Sequence, residues 1–222
     1  QLRGGRRSAD IIVDSKFIPE LNELSYDAQT GLTIGAAVPC CNIYEDKAVE
    51  ANYPGLTDCA SLIGSIQIQG RASIGGNLCN AAPSADSIPS IIALGGVANI
   101  TGPNGSRQVP AEDFCTAPGR NVLEPGELLV SINLPVPQAH SGANYLRFIP
   151  RNEMDIAVAG VGSSVILDGS GQNFVSGRVA LASVAPTPVF SKAAGESLAG
   201  KPVSEATINE AAEKAMADAK PI

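Results

Sequence analysis

The sequence contains no tryptophan and only one histidine in 222 residues, and both shortages limit its chemistry. The histidine, His140, lies in a segment with proline, serine and glycine, which is typical of a solvated linker. One histidine so placed leaves neither a Ser-His-Asp triad nor a Cys-His pair within either predicted domain. The sequence therefore argues against hydrolysis by an activated side-chain nucleophile.

Cysteine is present, but never as a C-x-x-C pair. Zinc and iron–sulfur sites usually gather thiolates from such closely spaced pairs. We therefore predict buried free thiols in a reducing compartment, and we interpret Cys79 as a small buried filler rather than a redox thiol. If the protein transfers electrons, it does so without an iron–sulfur cluster of its own. The cysteines are Cys40, Cys41, Cys59, Cys79 and Cys115.

The chain also lacks an excess of basic residues and any long apolar run. Its 15 Lys and Arg against 22 Asp and Glu give a net charge of −7, which disfavours nucleic acid or an anionic membrane as a partner. No run of about 18 apolar residues is present to span a membrane. No signal peptide is visible, so a cytoplasmic location is the default expectation. A hydrophobic content of 44% indicates a folded globular chain.

Strand-like and helix-like patterns mix along the first part of the chain and predict an α+β fold. Two hairpins are indicated by the turns Gln29-Thr30-Gly31 and Pro103-Asn104-Gly105. The predicted elements are a strand at 9–14, the first hairpin, helices at 40–50, 54–63 and 86–96, the second hairpin at 97–110, and a strand at 126–135.

The Pro- and Gly-containing link at 135–142 predicts a linker at 138–142 that divides the chain into residues 1–137 and 143–222. In the last helix of the second part, Ser204 is a plausible N-cap. An apolar stripe there is predicted to consist of Ile208, Ala212, Ala215 and Ala219. The predicted elements of the second part are strands at 144–150, 155–169 and 174–186 and helices at 190–199 and 204–220.

The stretch RASIGGNLCNAAPSAD, residues 71–86, has no helical or strand period of useful length. At its centre, Gly75 and Gly76 predict a bare turn that another backbone or a ligand can approach closely. Successive N–H groups in such a turn form an anion-binding concavity, and the side chains of Ser73 and Asn77 add donors. A diphosphate would suit this donor set. A structural turn between packed segments is the alternative that a lone Gly-Gly leaves open.

Several further stretches, in order along nearly the whole chain, carry a resemblance to one family. They are Gly64-Ser65-x-Gln67-Ile68, Arg71 to Asn77, Pro83-x-x-Asp86, VPAEDF (109–114), PGRNVLEPGELLVSINLP (118–135) and MDIAVAGV (154–161). Together they resemble the FAD-binding medium subunit of molybdenum hydroxylases, the flavoproteins of carbon monoxide dehydrogenase and xanthine dehydrogenase. The ordered series is specific, whereas the glycine pair alone is not.

The resemblance implies a fold and a set of cofactor contacts. It implies the second subdomain of a vanillyl-alcohol-oxidase-like FAD-binding domain, followed by a small C-terminal domain of three strands and helices. The segment Ser73, Ile74, Gly75, Gly76 and Asn77 corresponds to one of two loops that hold the FAD diphosphate. The remaining family positions are a carboxylate at the cofactor, two apolar neighbours of it and a cation near the flavin ring. These are Asp86, Ile63, Leu129 and Arg147.

Each of these positions also has a structural interpretation. Ile63 and Leu129 are core residues whatever else they do. Asp86 could cap the helix that begins at Ser87, and Arg147 could be a solvated charge on a strand. If Arg147 lies at the flavin, its charge would stabilise the anionic reduced flavin and raise its potential.

The sequence departs from the family pattern in three respects. The family's other diphosphate loop and its C-terminal extension are not found, so we expect a chain incomplete at both ends that binds FAD weakly alone. Gly4-Gly5 does not replace that loop, since Arg3, Arg6 and Arg7 around it suggest an exposed turn. Gln69 and Gly70 stand where relatives often carry Arg-Asn.

The resemblance implies an oxidoreductase subunit that passes electrons through FAD to an external acceptor. Iron–sulfur clusters on a small partner subunit would supply the electrons, and the molybdenum cofactor would reside on a large subunit of the same hetero-oligomer. No catalytic acid or base is predicted in this chain. Two alternatives remain open: a flavin-free assembly subunit of such a complex, and a stand-alone FAD oxidoreductase resembling the cell-wall enolpyruvyl reductases.

Overall fold

The computed structural model describes residue 5 and residues 8–151 and 154–221, which form a mixed helix and sheet fold. The turn predicted at Gly4-Gly5 falls largely outside these residues; Gly5 itself is exposed at φ +68°. None of the helices within the described ranges has the length and apolarity that a membrane span requires.

An antiparallel five-stranded sheet organises the first part, with strand order β1-β2-β7-β3-β4. Both predicted hairpins are confirmed. The first closes on Gly31 at φ +94°, and the second closes on Gly105 at φ +110°, backbone conformations that favour glycine. The strands of this part are β1 (Leu24–Asp27), β2 (Gly31–Gly35), β3 (Val97–Gly102), β4 (Gly105–Pro110), β5 (Cys115–Ala117), β6 (Arg120–Asn121) and β7 (Leu128–Leu134).

The described residues of the first part also contain six short helices. The helix predicted over 40–50 is wrong as a single element, because it breaks at Asp46. The Asp46 backbone is extended, and its carboxylate accepts the N–H groups of Ala48 and Val49 at 2.9 and 3.0 Å, which starts a new helix. The helices are α1 (Cys40–Glu45), α2 (Lys47–Asn52), α3 (Pro54–Leu62), α4 (Ile66–Gln69), α5 (Ile74–Asn80) and α6 (Ser87–Ala93).

Two other predictions for the first part are wrong. Residues 9–14 form no strand, and Ile11, Ile12 and Val13 are 74–80% exposed. An apolar run becomes a strand only where a neighbouring strand pairs with it, and this run has no such partner among the described residues. Residues 71–86 are also not a bare turn, since they contain helix α5.

The second part is a four-stranded antiparallel sheet with strand order β11-β10-β9-β8. Three long strands lie at the predicted positions, and a two-residue strand adds a fourth. Strand β8 begins at Ser141, so it already occupies the last two residues of the predicted linker 138–142. The elements are β8 (Ser141–Phe148), β9 (Ala159–Leu167), β10 (Phe174–Ala182), β11 (Val189–Phe190), α7 (Lys192–Leu198) and α8 (Glu205–Asp218).

Helix α8 begins as predicted, with the Ser204 side chain accepting the Thr207 N–H at 3.3 Å. Its buried face differs from the predicted stripe. Thr207, Ala211 and Ala215 are buried, whereas Ile208 is 51% exposed and Ala212 is also exposed. All four residues of the predicted stripe line the apolar cavity between α8 and the second sheet, while α7 packs against the buried face.

The two parts pack closely against each other. Helices α3 and α6 lie on β8, β9 and β10, and Tyr145 and Ala180 belong to the same apolar cluster as the core of the first part. Arg178 on β10 donates to the Ile92 carbonyl at 2.9 Å and to the Glu112 carboxylate at 3.1 Å. The contact of Arg178 with Ile92 fixes β10 beside the C-terminal end of α6.

Candidate functional site

The segment Ser73–Asn77 forms the N-terminal turn of α5, which corrects the prediction of a glycine turn. Ser73 is the N-cap, and its Oγ accepts the Gly76 N–H at 3.1 Å. Serine at this position satisfies an N–H group that would otherwise lack a partner in the first turn. The first-turn N–H groups and the helix dipole still make this end favourable for an anion.

The two glycines of this turn have different environments. A Cβ atom on Gly75 would lie 2.5 Å from the Cα and carbonyl oxygen of Ala36, so this position needs glycine for packing. Gly76 is exposed, and a Cβ atom there would meet only the Ser73 Oγ, at 3.0 Å. Gly75 therefore joins α5 to the segment after β2, whereas Gly76 leaves the outer side of the turn open.

Asn77 connects α5 to α6. Its Oδ1 accepts the Ser87 N–H at 3.3 Å and the Ser87 hydroxyl at 2.6 Å. The amide oxygen is thus used within the protein, and only the Nδ2 group is left among the described residues for another acceptor. Because Asn77 accepts the N–H of Ser87, Asn77 rather than Asp86 caps the start of α6 with its side chain.

Asp86, Tyr145 and Arg147 form a cluster where α6 meets β8. The Tyr145 hydroxyl donates to Asp86 Oδ1 at 2.8 Å, and Arg147 Nη1 donates to Asp86 Oδ2 at 3.0 Å. The Arg147 and Asp86 side chains are only 8% and 12% exposed, so Arg147 is not a solvated charge. Asp86 makes no side-chain capping bond to α6, although it occupies the N-cap position.

Burial controls the acidity of this cluster. Desolvation raises the pKa of the Asp86 carboxyl above its ordinary value, although the hydrogen bond from Tyr145 and the charge of Arg147 act to lower it. Burial, followed by the charge of Asp86, raises the pKa of the Tyr145 phenol. Tyr145 therefore stays protonated and acts as a hydrogen-bond donor.

Ile63 and Leu129 lie in the apolar core. They are 8% and 4% exposed and belong to the same cluster as Ile74 of α5. This agrees with their interpretation as core residues, and their contact with a flavin stays a prediction. The structure therefore brings together Ser73–Asn77, Asp86 and Arg147 through Asn77 and Ser87, but gives no polar link to Ile63 or Leu129.

Gln69, which departs from the family pattern, has a structural function. It is buried, and its Nε2 donates to the carbonyls of Ser61 and Ile63 at 2.7 and 3.3 Å. Its Oε1 accepts the Tyr44 hydroxyl at 3.0 Å. Gln69 holds the end of α3 in place and has no polar group left for a ligand.

Two cavities lie elsewhere. One, of about 620 Å³, is apolar and lies between the second sheet and α7 and α8; the other, of about 480 Å³, lies near Tyr53, Gly95 and Arg178. The described residues that line them include none of the nine predicted site residues.

The thiols are free and weakly acidic. Burial raises the pKa of Cys59 to about 12 and that of Cys40, Cys79 and Cys115 to about 11. Thiols of this kind are protonated at neutral pH and react slowly. Within the described ranges, no three His, Cys, Asp or Glu residues group in a way that could hold a metal ion.

Sequence reasoning missed Tyr145 and Ser87. Tyr145 and Arg147 are two residues apart on a strand and so share a face, and this period-two signal was available in the sequence. Ser87 gave no comparable signal, because its contact with Asn77 depends on how α5 and α6 pack.

The structure thus connects the exposed N-terminal turn of α5 to a buried carboxylate–arginine pair on a mixed helix and sheet fold. A family model described as "FAD binding domain in molybdopterin dehydrogenase" matches residues 1–137, and one described as "CO dehydrogenase flavoprotein C-terminal domain" matches residues 144–222. The chain belongs to this family of flavoprotein subunits, and it is an oxidoreductase subunit.

Relatives and solved structures are consistent with that family. The xanthine dehydrogenase FAD-binding subunit of Escherichia coli O157:H7 is 33% identical, over 95% of this chain and 72% of its own length. The carbon monoxide dehydrogenase medium chain of Hydrogenophaga pseudoflava is 31% identical over the same shares. The solved carbon monoxide dehydrogenase of H. pseudoflava matches with a TM-score of 0.86 and 32% identity, over 92% of this chain and 70% of that one. Quinoline 2-oxidoreductase from Pseudomonas putida 86 matches with a TM-score of 0.87 and 28% identity, over 99% of this chain and 75% of that one.

Proposed function

We propose that this chain binds FAD at the N-terminal turn of α5 and transfers electrons through it within a molybdenum hydroxylase complex. The observation that carries the proposal is the open side of the turn at Gly76, connected through Asn77 and Ser87 to the buried Asp86–Arg147 pair. The turn at Gly76 suits the diphosphate of FAD, and the Asp86–Arg147 pair suits its redox-active ring.

The donor set fits the diphosphate of FAD. The first-turn N–H groups, the Ser73 hydroxyl and Asn77 Nδ2 are all donors, and the helix dipole favours negative charge. Gly76 allows the phosphate oxygens to approach the backbone closely, since only the Ser73 Oγ lies within 4 Å of the position a Cβ atom would take.

The other family positions have proposed functions around the ring. Arg147 supplies a fixed positive charge, which favours the reduced, anionic form of the cofactor. Asp86 holds Arg147, as their 3.0 Å contact supports. Ile63 and Leu129 are proposed as apolar neighbours of the cofactor. The assignment of the first part to the vanillyl-alcohol-oxidase-like class, as its second subdomain, belongs to the same proposal.

Bound FAD supplies the capacity to accept electrons and pass them to an external acceptor. The chain's own residues bind the cofactor, exclude water from the Asp86–Arg147 pair and set the local charge. The electrons would come from iron–sulfur clusters on a small partner subunit, and the molybdenum cofactor would be on a large one. A hetero-oligomer is supported by relatives named as medium chains and by the solved H. pseudoflava enzyme, which lacks the Mo-pyranopterin moiety of its molybdenum cofactor.

FAD titration of the purified chain tests the proposal. We expect flavin absorption bands on the protein, and an FAD dissociation constant at least about ten-fold higher in Gly76→Val, since the side chain blocks close approach to the backbone N–H groups. Gly169→Val is the matched control, because Gly169 is exposed with no atom within 4 Å of its Cβ position. Its affinity for FAD should be unchanged.

A chain that ignores FAD in large excess would contradict the proposal and favour the flavin-free assembly subunit. Equal affinity in wild type and Gly76→Val would exclude this turn as the diphosphate site. Affinity purification from the source cells decides the third possibility. A molybdenum-containing large chain that co-purifies supports the electron-transfer subunit, whereas a flavin-loaded chain recovered alone supports a stand-alone oxidoreductase.

A further inference from the structure

The hydroxyl of Tyr145 occupies a confined place at the candidate site. Tyr145 is buried on β8, and its only side-chain hydrogen bond within the described residues goes to Asp86 Oδ1, at 2.8 Å. A Cβ atom on residue 160 of the neighbouring strand would lie 2.5 Å from the Tyr145 hydroxyl oxygen, so glycine at this position leaves room for it. The hydroxyl is therefore held between Gly160 and Asp86.

The two oxygens of Asp86 are held by two side chains from one face of β8. Tyr145 binds Oδ1, and Arg147 binds Oδ2 at 3.0 Å. Because hydrogen bonds hold both of its oxygens, the Asp86 carboxylate has one orientation. Tyr145 therefore helps to set the orientation of the Arg147 guanidinium, which binds the same carboxylate. In the described part of the chain, the Arg147 guanidinium donates to Asp86, and its other nitrogen atoms are not among the fully buried atoms without a partner.

We propose that Tyr145 is a positioning residue, which holds the Asp86 carboxylate so that Arg147 presents its remaining N–H donors to the bound cofactor. The contact of Arg147 with the cofactor rests on the proposed function. The coupling of Tyr145 to Asp86 does not, and it can be measured in the absence of FAD.

The surroundings explain why one hydroxyl matters. Helix α3 contributes Asp58, whose carboxylate accepts the Tyr145 N–H at 3.3 Å, and the Cys59 thiol, whose pKa the charge of Asp86 helps to raise. Strand β8 contributes Arg147. Asp86 thus has one positive neighbour, one negative carboxylate nearby and a buried thiol. Losing the Tyr145 hydroxyl would remove one of two donors to a desolvated charge.

The pH dependence of stability is the first test. Because the pKa of Asp86 is raised in the folded protein, the stability it contributes is greatest at acid pH and is lost as pH rises through the folded pKa. Tyr145→Phe removes a hydrogen bond that lowers the pKa of Asp86, so this pKa rises further. Above that pKa, the variant should therefore lose more stability than the wild type. We expect Tyr145→Phe to lower the folding equilibrium constant about ten-fold more at neutral pH than near pH 4, in urea unfolding of the chain without FAD.

Tyr53→Phe is the matched control. Tyr53 is also buried, and its hydroxyl donates to the Pro135 carbonyl at 3.0 Å, an acceptor that does not titrate. Its loss of stability should be the same at both pH values. Gly160→Ala is a second variant, which keeps the tyrosine but displaces its hydroxyl, and it should reproduce the pH dependence if Tyr145→Phe does not fold. A loss for Tyr145→Phe or Gly160→Ala that does not vary with pH would overturn the proposal.

A double-mutant cycle on FAD binding is the second test. We expect Tyr145→Phe to raise the FAD dissociation constant about ten-fold in the wild type, but less than about two-fold in the Asp86→Asn background, because Tyr145 acts through Asp86. Equal effects in the two backgrounds would contradict positioning through Asp86. If the wild type binds no FAD, the proposed function fails, and the pH-dependent stability still decides the coupling of Tyr145 to Asp86.

Discussion

The N-terminal turn of α5 and the contact of β9 with α6 both depend on glycine, but they use it differently. In β9, a Cβ atom on Gly162 would lie 2.5 Å from the carbonyl carbon and oxygen of Pro89. In α5, Ala36 occupies the space beside Gly75 in the same way, whereas the adjacent Gly76 is exposed and a Cβ atom there would meet only the Ser73 Oγ, at 3.0 Å. Where protein atoms fill the space beside a glycine, the glycine serves packing. Where the space stays open beside backbone donors, a ligand is the better explanation.

Gly162→Ala should have the largest effect. The methyl group would overlap the backbone of α6, which cannot move without disturbing the core beneath it, so we expect a loss of about 3 kcal/mol in the free energy of unfolding. Urea unfolding measures it. Gly142→Ala, at an exposed position on β8 with no atom within 4 Å of its Cβ, is the control and should lose less than about 1 kcal/mol. Comparable losses in both would mean that strand propensity, rather than close packing, is being measured.

Gly75→Ala should cost somewhat less, about 2 kcal/mol, because α5 is short and can shift slightly away from Ala36. Thermal unfolding of this variant provides the measurement. Unchanged stability would show that Gly75 is not needed for packing and would remove one half of the comparison between the two glycines.

Gly76→Ala should leave stability within about 1 kcal/mol of the wild type, and alanine's better helix propensity favours a gain. FAD affinity, by contrast, should fall, because the methyl group occupies part of the open side of the turn. Measuring both quantities on one preparation sharpens the comparison. A variant that loses stability but keeps its affinity for FAD would place Gly76 with the packing glycines.

The smallest effect concerns the thiols of the two regions. Cys79 lies on α5 and is half-buried, whereas Cys59 lies on α3 and is fully buried. With pKa values of about 11 and about 12, both should alkylate slowly at neutral pH, and Cys79 should react first by local opening of α5. Mass spectrometry of the alkylated peptides distinguishes them. Faster labelling of Cys59 would indicate that the α3–β8 contact opens before α5.

Sequence patterns predicted elements well where the signal was local. Turn residues at Gln29-Thr30-Gly31 gave the first hairpin, and Ser204 gave the start of α8. These patterns failed where contacts with a distant segment determine the secondary structure. Ile11 to Val13 has the composition of a strand but no strand beside it, and the period of α5 is hidden because glycine and asparagine fill positions where a helix usually shows apolar residues.

The site shows the same division. The family resemblance correctly identified the family, and it named Asp86 and Arg147 separately. It gave no indication that the two form an ion pair or that Tyr145 holds it, because residues 86 and 145 meet only when α6 packs on β8.

The sequence by itself determined the family, the mixed fold and the local turns and caps, because these depend on residues near one another along the chain. Only the tertiary structure decided which glycine is exposed to a ligand, which charged side chains form an ion pair and which thiols are buried and unreactive. Those properties depend on burial and on contacts between distant segments. Desolvation changes the energy of a carboxylate or a thiol, and no pattern of neighbouring residues records it.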